Sequence, residues 1–539
     1  MTYALSNGTL FFVKNDILSS VDYFYDTLYD LNDKHVPKFK QYPERYPPWY
    51  SKELKILLGQ KSTAHSRYKF SDDTLDYNIF SELRKKCKVK STQDYAKYLN
   101  GIENSIPLNM KSFWKFTNVK RGVNGIPNHI YSDTETADCP SKIVNTFAEY
   151  FESVYTTPND DDLTFNDINY YDNNPSFDIG DIEITQRDVF DSIKNLDVKK
   201  GVGPDLIPAI LIKSCNANIT PILHTLFIKS LKEGSLPPLW KKSFVTPIFK
   251  SQDRSYVKNY RPISIMSVIP KIFESIITTK LNINLNKLII EEQHGFRRNR
   301  STTSNLFILR HFITEKIDRN SQLDFIYLDL AKAFDTVNHN ILIQKLSNLG
   351  IHGNLLLWLK NYLTNRTLNV KYLSFLSRDI FARSGVPQGS HLGPLLFLIF
   401  INDLKLFLPH CLFLLFADDL KIYSEINNMN DCIVLQECLN SLFHWSKLNK
   451  LEFNITKCKV MHFTKIRNII NYCYSLNDSP LEIVNEFKDL GVIFDHTLKF
   501  DKHIDYIVAK ANRMLGFIMR TASEFRNPQT IRTLYMTLV

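Results

Sequence analysis

Short runs in which apolar residues crowd together or alternate with polar ones are interleaved along the chain with runs whose apolar residues return every third or fourth place. The first kind predicts strands over residues 244–249 and 323–328. It also predicts a hairpin whose arms, 412–416 and 420–423, flank a tight turn carrying Asp418 and Asp419. The second kind predicts helices over 341–349 and 354–362. Thr185-Gln186-Arg187-Asp188 has the form of a capping box, opening a helix whose apolar positions are Val189, Phe190, Ile193 and Leu196. Gly201 and Gly203 end that helix, and another begins over 207–212. Such a mixture, without internal repeat, predicts an α+β or mixed α/β fold.

The pattern changes along the chain. Residues 1–155 read as a helical, basic N-terminal region, with cations at Lys52, Lys55, Lys61, Arg67 and Lys69 and again at Arg84, Lys85, Lys86, Lys88 and Lys90. Phe113, Trp114 and Phe116 among Lys111, Lys115, Lys120 and Arg121 fit either of two surfaces: one that stacks bases and neutralises phosphates, or an amphipathic helix with a solvated basic face. Residues 156–182 are rich in Asp and Asn and read as an acidic linker, after which a compact domain starts at 183. The net charge of +10 over 539 residues is therefore concentrated outside that linker, which fits a polyanionic partner. Eight cysteines, none in a Cys-x-x-Cys pair, read as reduced intracellular thiols. Residues 1–10 lack the form of a signal peptide. The most apolar stretch, 392–420, is broken by Asn402, Asp403, Lys405 and Pro409, so no membrane anchor is expected.

Two acidic clusters carry the chemistry: Asp329 at the end of the 323–328 strand, with Asp335 beyond it, and Asp418-Asp419 in the hairpin turn. Phosphoryl transfer spreads negative charge over attacking and leaving oxygens, and two divalent ions roughly 4 Å apart stabilise both. Converging carboxylates hold such ions, so the two clusters together predict a nucleotidyl-transfer site. Lys250 and Arg261, on neighbouring segments, are placed to hold a triphosphate, Arg with a planar fork and Lys with a mobile charge. In Ser384-Gly385-Val386-Pro387-Gln388-Gly389-Ser390 the glycines let backbone approach a ligand, Ser390 caps the next helix, and the Gln388 amide can face a nucleotide or a template sugar. The basic run 292–303, which includes Arg297, suits contacts with a nucleic-acid backbone.

The order of these signals resembles the reverse transcriptase of non-LTR retrotransposons, particularly jockey-like elements. The resemblance covers roughly residues 185–520. It runs from Gly201-Val202-Gly203-Pro204-Asp205 through Asn259-Tyr260-Arg261-Pro262, Gln293-His294-Gly295-Phe296-Arg297, Asp329 with Ala333-Phe334-Asp335, Pro387-Gln388-Gly389 and Phe416-Ala417-Asp418-Asp419. It continues to Asn454-Ile455-Thr456-Lys457 and Leu490-Gly491-Val492. It implies a right-hand polymerase, with fingers and palm over 183–484 and a primer grip with partial thumb over 485–539. Asp329 and Asp418, assisted by the carbonyl of Leu330, would bind two Mg²⁺ ions, or Mn²⁺, with Asp419 adjacent. Lys250 and Arg261 would grip the incoming triphosphate, Phe334 would lie beneath its sugar as a gate against ribonucleotides, and Gln388 and Gly389 would position template and nucleotide. Lys457 would protonate the departing pyrophosphate. Arg297, Phe487, Leu490 and Gly491 would contact primer or template.

A helical stripe of Ile504, Ile507, Val508, Ala511, Leu515 and Ile518 lies opposite Lys502, Lys510, Arg513 and Arg520, and Lys510 and Arg513 would meet the duplex from the thumb. The implied partners are an RNA template, a DNA primer and deoxynucleoside triphosphates, and the implied locations are nucleus and cytoplasm. Relatives carry an endonuclease and a longer C-terminal end that this sequence is expected to lack. A catalytically idle element fragment that only binds nucleic acid is the alternative, and an intron-maturase-like RNA-binding protein a remoter one.

Overall fold

The strand expected at 323–328 runs over Gln322–Leu328 and is the middle of a five-stranded sheet. On one side of it lie Asp419–Ile426 and then Leu412–Phe416, and on the other Lys459–Phe463 and then Glu482–Ile483. All pairings are antiparallel except that of Lys459–Phe463 with Glu482–Ile483. The computed structural model describes residues 15–37, 46–121, 125–133, 135–156, 178–466 and 468–539. Most of the expected acidic linker, 157–177, and residues 1–10 lie outside them.

Register divides the sheet's chemistry between its faces, because side chains alternate with period two. Ile326 and Leu328 share a face with Leu420, Ile422 and Val460 and join the main core. Tyr327 shares the other face with Lys421 and Lys459, its cross-strand partners. Every residue of the central strand is buried, Gln322 and Asp324 included. Asp324 is satisfied by three donors: Gln322 Nε2 at 2.9 Å, His462 Nδ1 at 2.6 Å and Tyr474 Oη at 2.8 Å.

Contacts gather the chain into two compact units, Met1–Val36 with Ile126–Lys499, and Pro37–Gly125 with Phe500–Val539. In the first unit a second sheet runs Tyr260–Met266, Ser243–Phe249, Arg366–Tyr372, Phe375–Leu376, with Ile380–Ala382 also paired to Arg366–Tyr372. Helix Pro140–Ser153 packs Val144, Phe147 and Phe151 against Val245, Tyr260 and Val370 of that sheet. Helix Ile17–His35 sets Val21, Phe24 and Leu28 into the main core, and Tyr25 donates to the buried carboxyl of Asp205 at 3.1 Å. The Thr185 capping box forms, and its helix spans Gln186–Lys194. The helix expected at 207–212 begins at Ala209 because Pro208 takes the N-cap place. The helices expected at 341–349 and 354–362 run over His339–Asn348 and Gly353–Leu363.

The second unit is helical: Lys52–Ser71 pairs with Thr74–Ser105, joined by Lys111–Arg121, Asp501–Thr521 and Pro528–Leu538. Its core contains Ile106, Phe113, Phe116, Ile518, Phe525 and Leu534. Phe113 and Phe116 are therefore packing residues, which for them favours the amphipathic helix over the base-stacking surface. Trp114 lies against Phe517, ring centroids 5.8 Å apart. The apolar stripe of Asp501–Thr521 is not uniformly core: Ile518 is buried, whereas Ile504, Ile507 and Val508 are 51%, 45% and 50% exposed. Glu103 receives the backbone N–H of Asn527 at 2.9 Å and so supports the start of the last helix.

Asp324→Ala would leave His462, Tyr474 and Gln322 without their common acceptor inside the sheet, at a cost of about 1–3 kcal/mol or more. The expected outcome is a thermal midpoint several degrees below the parent. An unchanged midpoint in differential scanning fluorimetry would show that the three donors find other acceptors.

Candidate active site

Asp329 is the first residue after the central strand. Leu420 pairs with Leu328, so the register carried one step further sets Asp419 opposite Asp329. Two alternations from Tyr327 and Lys421 therefore bring both carboxylates to the open face. The stretch after Asp329 is pinned by two backbone bonds: Asn454 N–H donates to the Asp329 carbonyl at 2.8 Å, and Ala331 N–H to the Glu452 carbonyl at 2.7 Å. Leu330, between them, is buried. The segment pinned there leads into the short helical turn Ile455–Lys457, and Lys457 Nζ reaches Asp329 Oδ2 at 2.8 Å.

The carboxylates on the hairpin differ from ordinary exposed ones. Loss of surrounding water is the largest cause pushing Asp418 upward, with the charge of Asp329 adding to it, while Arg261 and Lys250 oppose the rise. Asp419 keeps solvent contact, yet desolvation of its carboxyl, followed by the charges of Asp418, Asp329 and Asp489, pushes it up to about 6, with Lys421 opposing. Lys250 follows strand Ser243–Phe249, and Arg261 lies on Tyr260–Met266 opposite Ile248. Both cations thus act on the hairpin carboxylate from another sheet.

The loop after Ile380–Ala382 brings Gln388 alongside. Its Nε2 donates to Asp335 Oδ1 at 2.8 Å, and its carbonyl accepts from Ser264 N–H at 2.8 Å. Gly389 has φ +102°, and a Cβ there would stand 2.9 Å from the Ser264 carbonyl, so the position excludes a side chain. The N-cap place of helix Leu392–Phe400 falls to His391 rather than to Ser390, whose Oγ instead accepts from Gly393 N–H at 2.9 Å from one residue further out. Phe334 lies stacked on Phe397 with centroids 4.2 Å apart, and the edge contact with Phe296 is at 5.9 Å. Two aromatic neighbours hold the ring.

Opposite these groups, the hairpin Glu486–Asp489 and Val492–Asp495 turns through Leu490 and Gly491, both with positive φ, the geometry favoured in a two-residue turn between twisted strands. Phe487 stacks on Tyr327 at 3.9 Å, and Asp489 forms a buried ion pair with Lys421. A cleft of about 510 Å³ remains, lined by Asp329, Asp419, Lys457, Lys459, Phe487 and Leu490 among others. Arg297 directs its guanidinium to the Ile290 carbonyl at 2.7 Å, within its own loop. Lys510 and Arg513 belong to the second compact unit.

Several contacts within this arrangement do not follow from the sequence. Asp335 orients Gln388, and Lys421 with Asp489 and Tyr327 with Phe487 join the hairpin to the sheet. One signal was present for Lys421: a lysine between Leu420 and Ile422 in an apolar strand requires a partner. Nothing in the sequence pairs it with Asp489. Among the described residues, no group of three or more His, Cys, Asp or Glu side chains is gathered closely enough to hold a metal by itself. No described helix is long and apolar enough to cross a membrane.

Comparison with known proteins matches residues 242–518, just over half of the chain, to the family model "Reverse transcriptase (RNA-dependent DNA polymerase)". A probable RNA-directed DNA polymerase from transposon BS of Drosophila melanogaster is 28% identical over 339 residues, covering 60% of this chain and 37% of that protein. The RNA-directed DNA polymerase from mobile element jockey of the same organism is 28% identical over 337 residues, covering 60% and 36%. The chain thus spans little more than a third of the curated relatives it matches. A solved apo telomerase from Candida tropicalis, truncated from its C-terminal domain, aligns over 49% of this chain and 55% of that one. Its 15% identity and TM-score of 0.34 are too loose to define a fold.

Asp335 gives a pH-dependent check of the loop geometry. Burial pushes its carboxyl up to about 6, against the opposing bond from Gln388. A folded value above the unfolded value of about 3.9 means that the folded state binds more protons between these pH values, so this group's contribution to stability is present below about pH 4 and lost as pH rises through 6. Asp335→Asn removes that titration. Its thermal midpoint relative to the parent is expected to rise between pH 4 and 6 and then level off; a difference that is flat across this window would contradict the shifted carboxyl.

Proposed function

The chain belongs to the reverse transcriptases, and from that premise we propose that it is the polymerase part of a jockey-like non-LTR retrotransposon protein. It would add deoxynucleotides to a primer 3′-hydroxyl on an RNA template. The observation that supports this most strongly is the meeting of Asp329, Asp418 and Asp419 at one end of the central sheet, with Lys250 and Arg261 acting on Asp418. Desolvation and the neighbouring charge of Asp329 push Asp418 and Asp419 upward, and the donors of all three carboxylates are hard oxygens. Such a set suits Mg²⁺, or Mn²⁺, which commonly takes one or two protein carboxylates and completes its shell with water and substrate phosphates. Two such ions, when bound, supply the stabilisation of charge on the attacking and leaving oxygens.

The remaining roles fall to the chain's own side chains. Asp329 and Asp418 would hold the metals, with the Leu330 carbonyl assisting and Asp419 adjacent. Lys250 and Arg261 bind the triphosphate and orient it. Gln388, fixed by Asp335, and the side-chain-free backbone at Gly389 position template and nucleotide. Lys457, 2.8 Å from Asp329, delivers a proton to the departing pyrophosphate. Phe487, Leu490 and Gly491 hold the primer end, Arg297 supports the loop beside the template, and Lys510 and Arg513 contact duplex phosphates. In this assignment fingers and palm occupy 183–484, and primer grip and partial thumb 485–539.

Primer extension on an RNA template with Mg²⁺ tests the reading. Asp329→Asn and Asp418→Asn are each expected to abolish extension while leaving primer-template affinity within about twofold, since phosphoryl transfer depends chiefly on electrostatic stabilisation in the transition state. Extension at the parental rate in both variants would remove the site assignment. A parent that binds primer-template but never extends it would favour a nucleic-acid binder.

Phe334 provides a separate check. A soft apolar pocket discriminates against an added hydroxyl by only about a hundredfold, so stronger exclusion needs a ring that cannot yield, as packing between Phe397 and Phe296 provides. Phe334→Val is expected to raise ribonucleotide relative to deoxynucleotide incorporation at least about tenfold, roughly 1.4 kcal/mol of lost discrimination. An unchanged ratio accompanied by lower stability would make Phe334 a packing residue only.

A further inference from the structure

The turn that presents Asp418 cannot hold its own shape. In the hairpin, Phe416 pairs with Asp419, which leaves Ala417 and Asp418 as the two turn residues, outside the ladder. Ala417 has φ +55°, a conformation that costs a residue with a Cβ roughly 1–2 kcal/mol. Its backbone is nonetheless buried and bonded on both sides by one side chain. Gln293 Oε1 accepts from Ala417 N–H at 2.8 Å, and Gln293 Nε2 donates to the Ala417 carbonyl at 3.1 Å. The same Oε1 accepts from Gly295 N–H at 2.7 Å. Gln293 is 1% exposed, so water cannot replace these bonds.

The segment bearing Gln293 is itself tied to the hairpin arm. Leu415 N–H donates to the Glu292 carbonyl at 3.0 Å, and His294 N–H to the Leu415 carbonyl at 2.9 Å, a parallel bridge along the outer strand. Approach is closest at Gly295, where a Cβ would lie 2.2 Å from Ala417 N. A glycine there lets the segment close on the turn, and a glutamine two residues earlier then reaches both polar atoms of Ala417. An apolar residue at 293 would fill the space without holding the turn.

We infer that Gln293 is a positioning residue for the reaction: through the backbone of Ala417 it fixes the direction in which Asp418 presents its carboxylate. This rests on the reading of Asp418 as a metal-binding residue. Groups that orient metal ligands without touching the metal commonly change affinity by about 10–100-fold when removed.

The test compares Gln293→Met with Asn305→Leu. Asn305 donates to the Leu415 carbonyl at 3.0 Å in the same layer but does not reach Ala417, so its loss reports support of the strand alone. Mn²⁺ binding to the full chain is followed by loss of the free-ion EPR signal, beside thermal midpoint and primer-template affinity. Gln293→Met is expected to weaken Mn²⁺ binding about tenfold, whereas Asn305→Leu lowers the midpoint with Mn²⁺ affinity within about twofold. In an Asp418→Asn background, Gln293→Met should have no further effect on Mn²⁺. Should the methionine variant not fold, Gln293→Glu keeps both acceptor bonds, loses the donor, and is expected to weaken Mn²⁺ binding severalfold. Parental Mn²⁺ affinity in the folded Gln293 variant overturns the inference while leaving Asp418 in place. A parent whose Mn²⁺ binding is absent, or indifferent to Asp418→Asn, overturns the metal-site reading and this inference with it.

Discussion

The crowding of carboxylates away from water is the constraint around which the candidate site of the first unit is arranged. Asp329, Asp418 and Asp419 stand at adjoining strand ends; desolvation is the largest cost on Asp418 and Asp419, and the charge of Asp329 adds to it for both. A chain left to relax would turn these side chains apart. Backbone bonds prevent it: Asn454 and Glu452 pin the residues after Asp329, and Gln293 pins the turn before Asp418. Rigid donors and crowded carboxylates make a site that favours cations and cation-bound phosphates, the requirement the proposed polymerase chemistry imposes.

Surrounding features serve the same end. Lys421 answers Asp489 within the protein, so the hairpin bearing Phe487 and Leu490 is anchored without neutralising the open carboxylates directly. A buried pair of this kind adds little net stability but strongly penalises any arrangement that separates it, and here it fixes the placement of the hairpin on the sheet. Gln388 is likewise held by a carboxylate, that of half-buried Asp335. Near the carboxylate end of the sheet, alternation sets Ile326, Leu328, Leu420 and Ile422 on the core face and Tyr327 and Lys421 on the other, while the one carboxylate on the core face of the central strand, Asp324, is satisfied by His462, Tyr474 and Gln322.

Much of this was legible in the sequence where chemistry is local. Strand ends, the hairpin turn and the Thr185 capping box follow from residues a few positions apart, and Asp329 with Asp418-Asp419 could be paired because both lie at strand ends. What could not be read depends on partners distant in sequence. Asp324 looks like a polar residue on a half-exposed strand until His462 and Tyr474 supply its bonds. The 504–518 stripe has the period of a core face, yet periodicity states which residues share a face and not whether anything covers it; Ile504, Ile507 and Val508 remain open. Phe113 and Phe116 sit among cations that suggest nucleic acid, but burial against Ile518 and Phe525 decides their role. Gln293, within a basic run, gave no sign that its amide faces inward.

The central claim is that the hairpin carboxylates, raised by loss of water and by neighbouring charge, are held in place for divalent ions. Proton release on Mn²⁺ binding measures it most directly, by titration calorimetry in paired buffers of different ionisation enthalpy. With Asp419 near 6 and Asp418 also raised, binding should expel protons at pH 6 and progressively fewer towards pH 8. Mn²⁺ binding with no proton release at pH 6, or no binding at any pH between 6 and 8, would contradict the account.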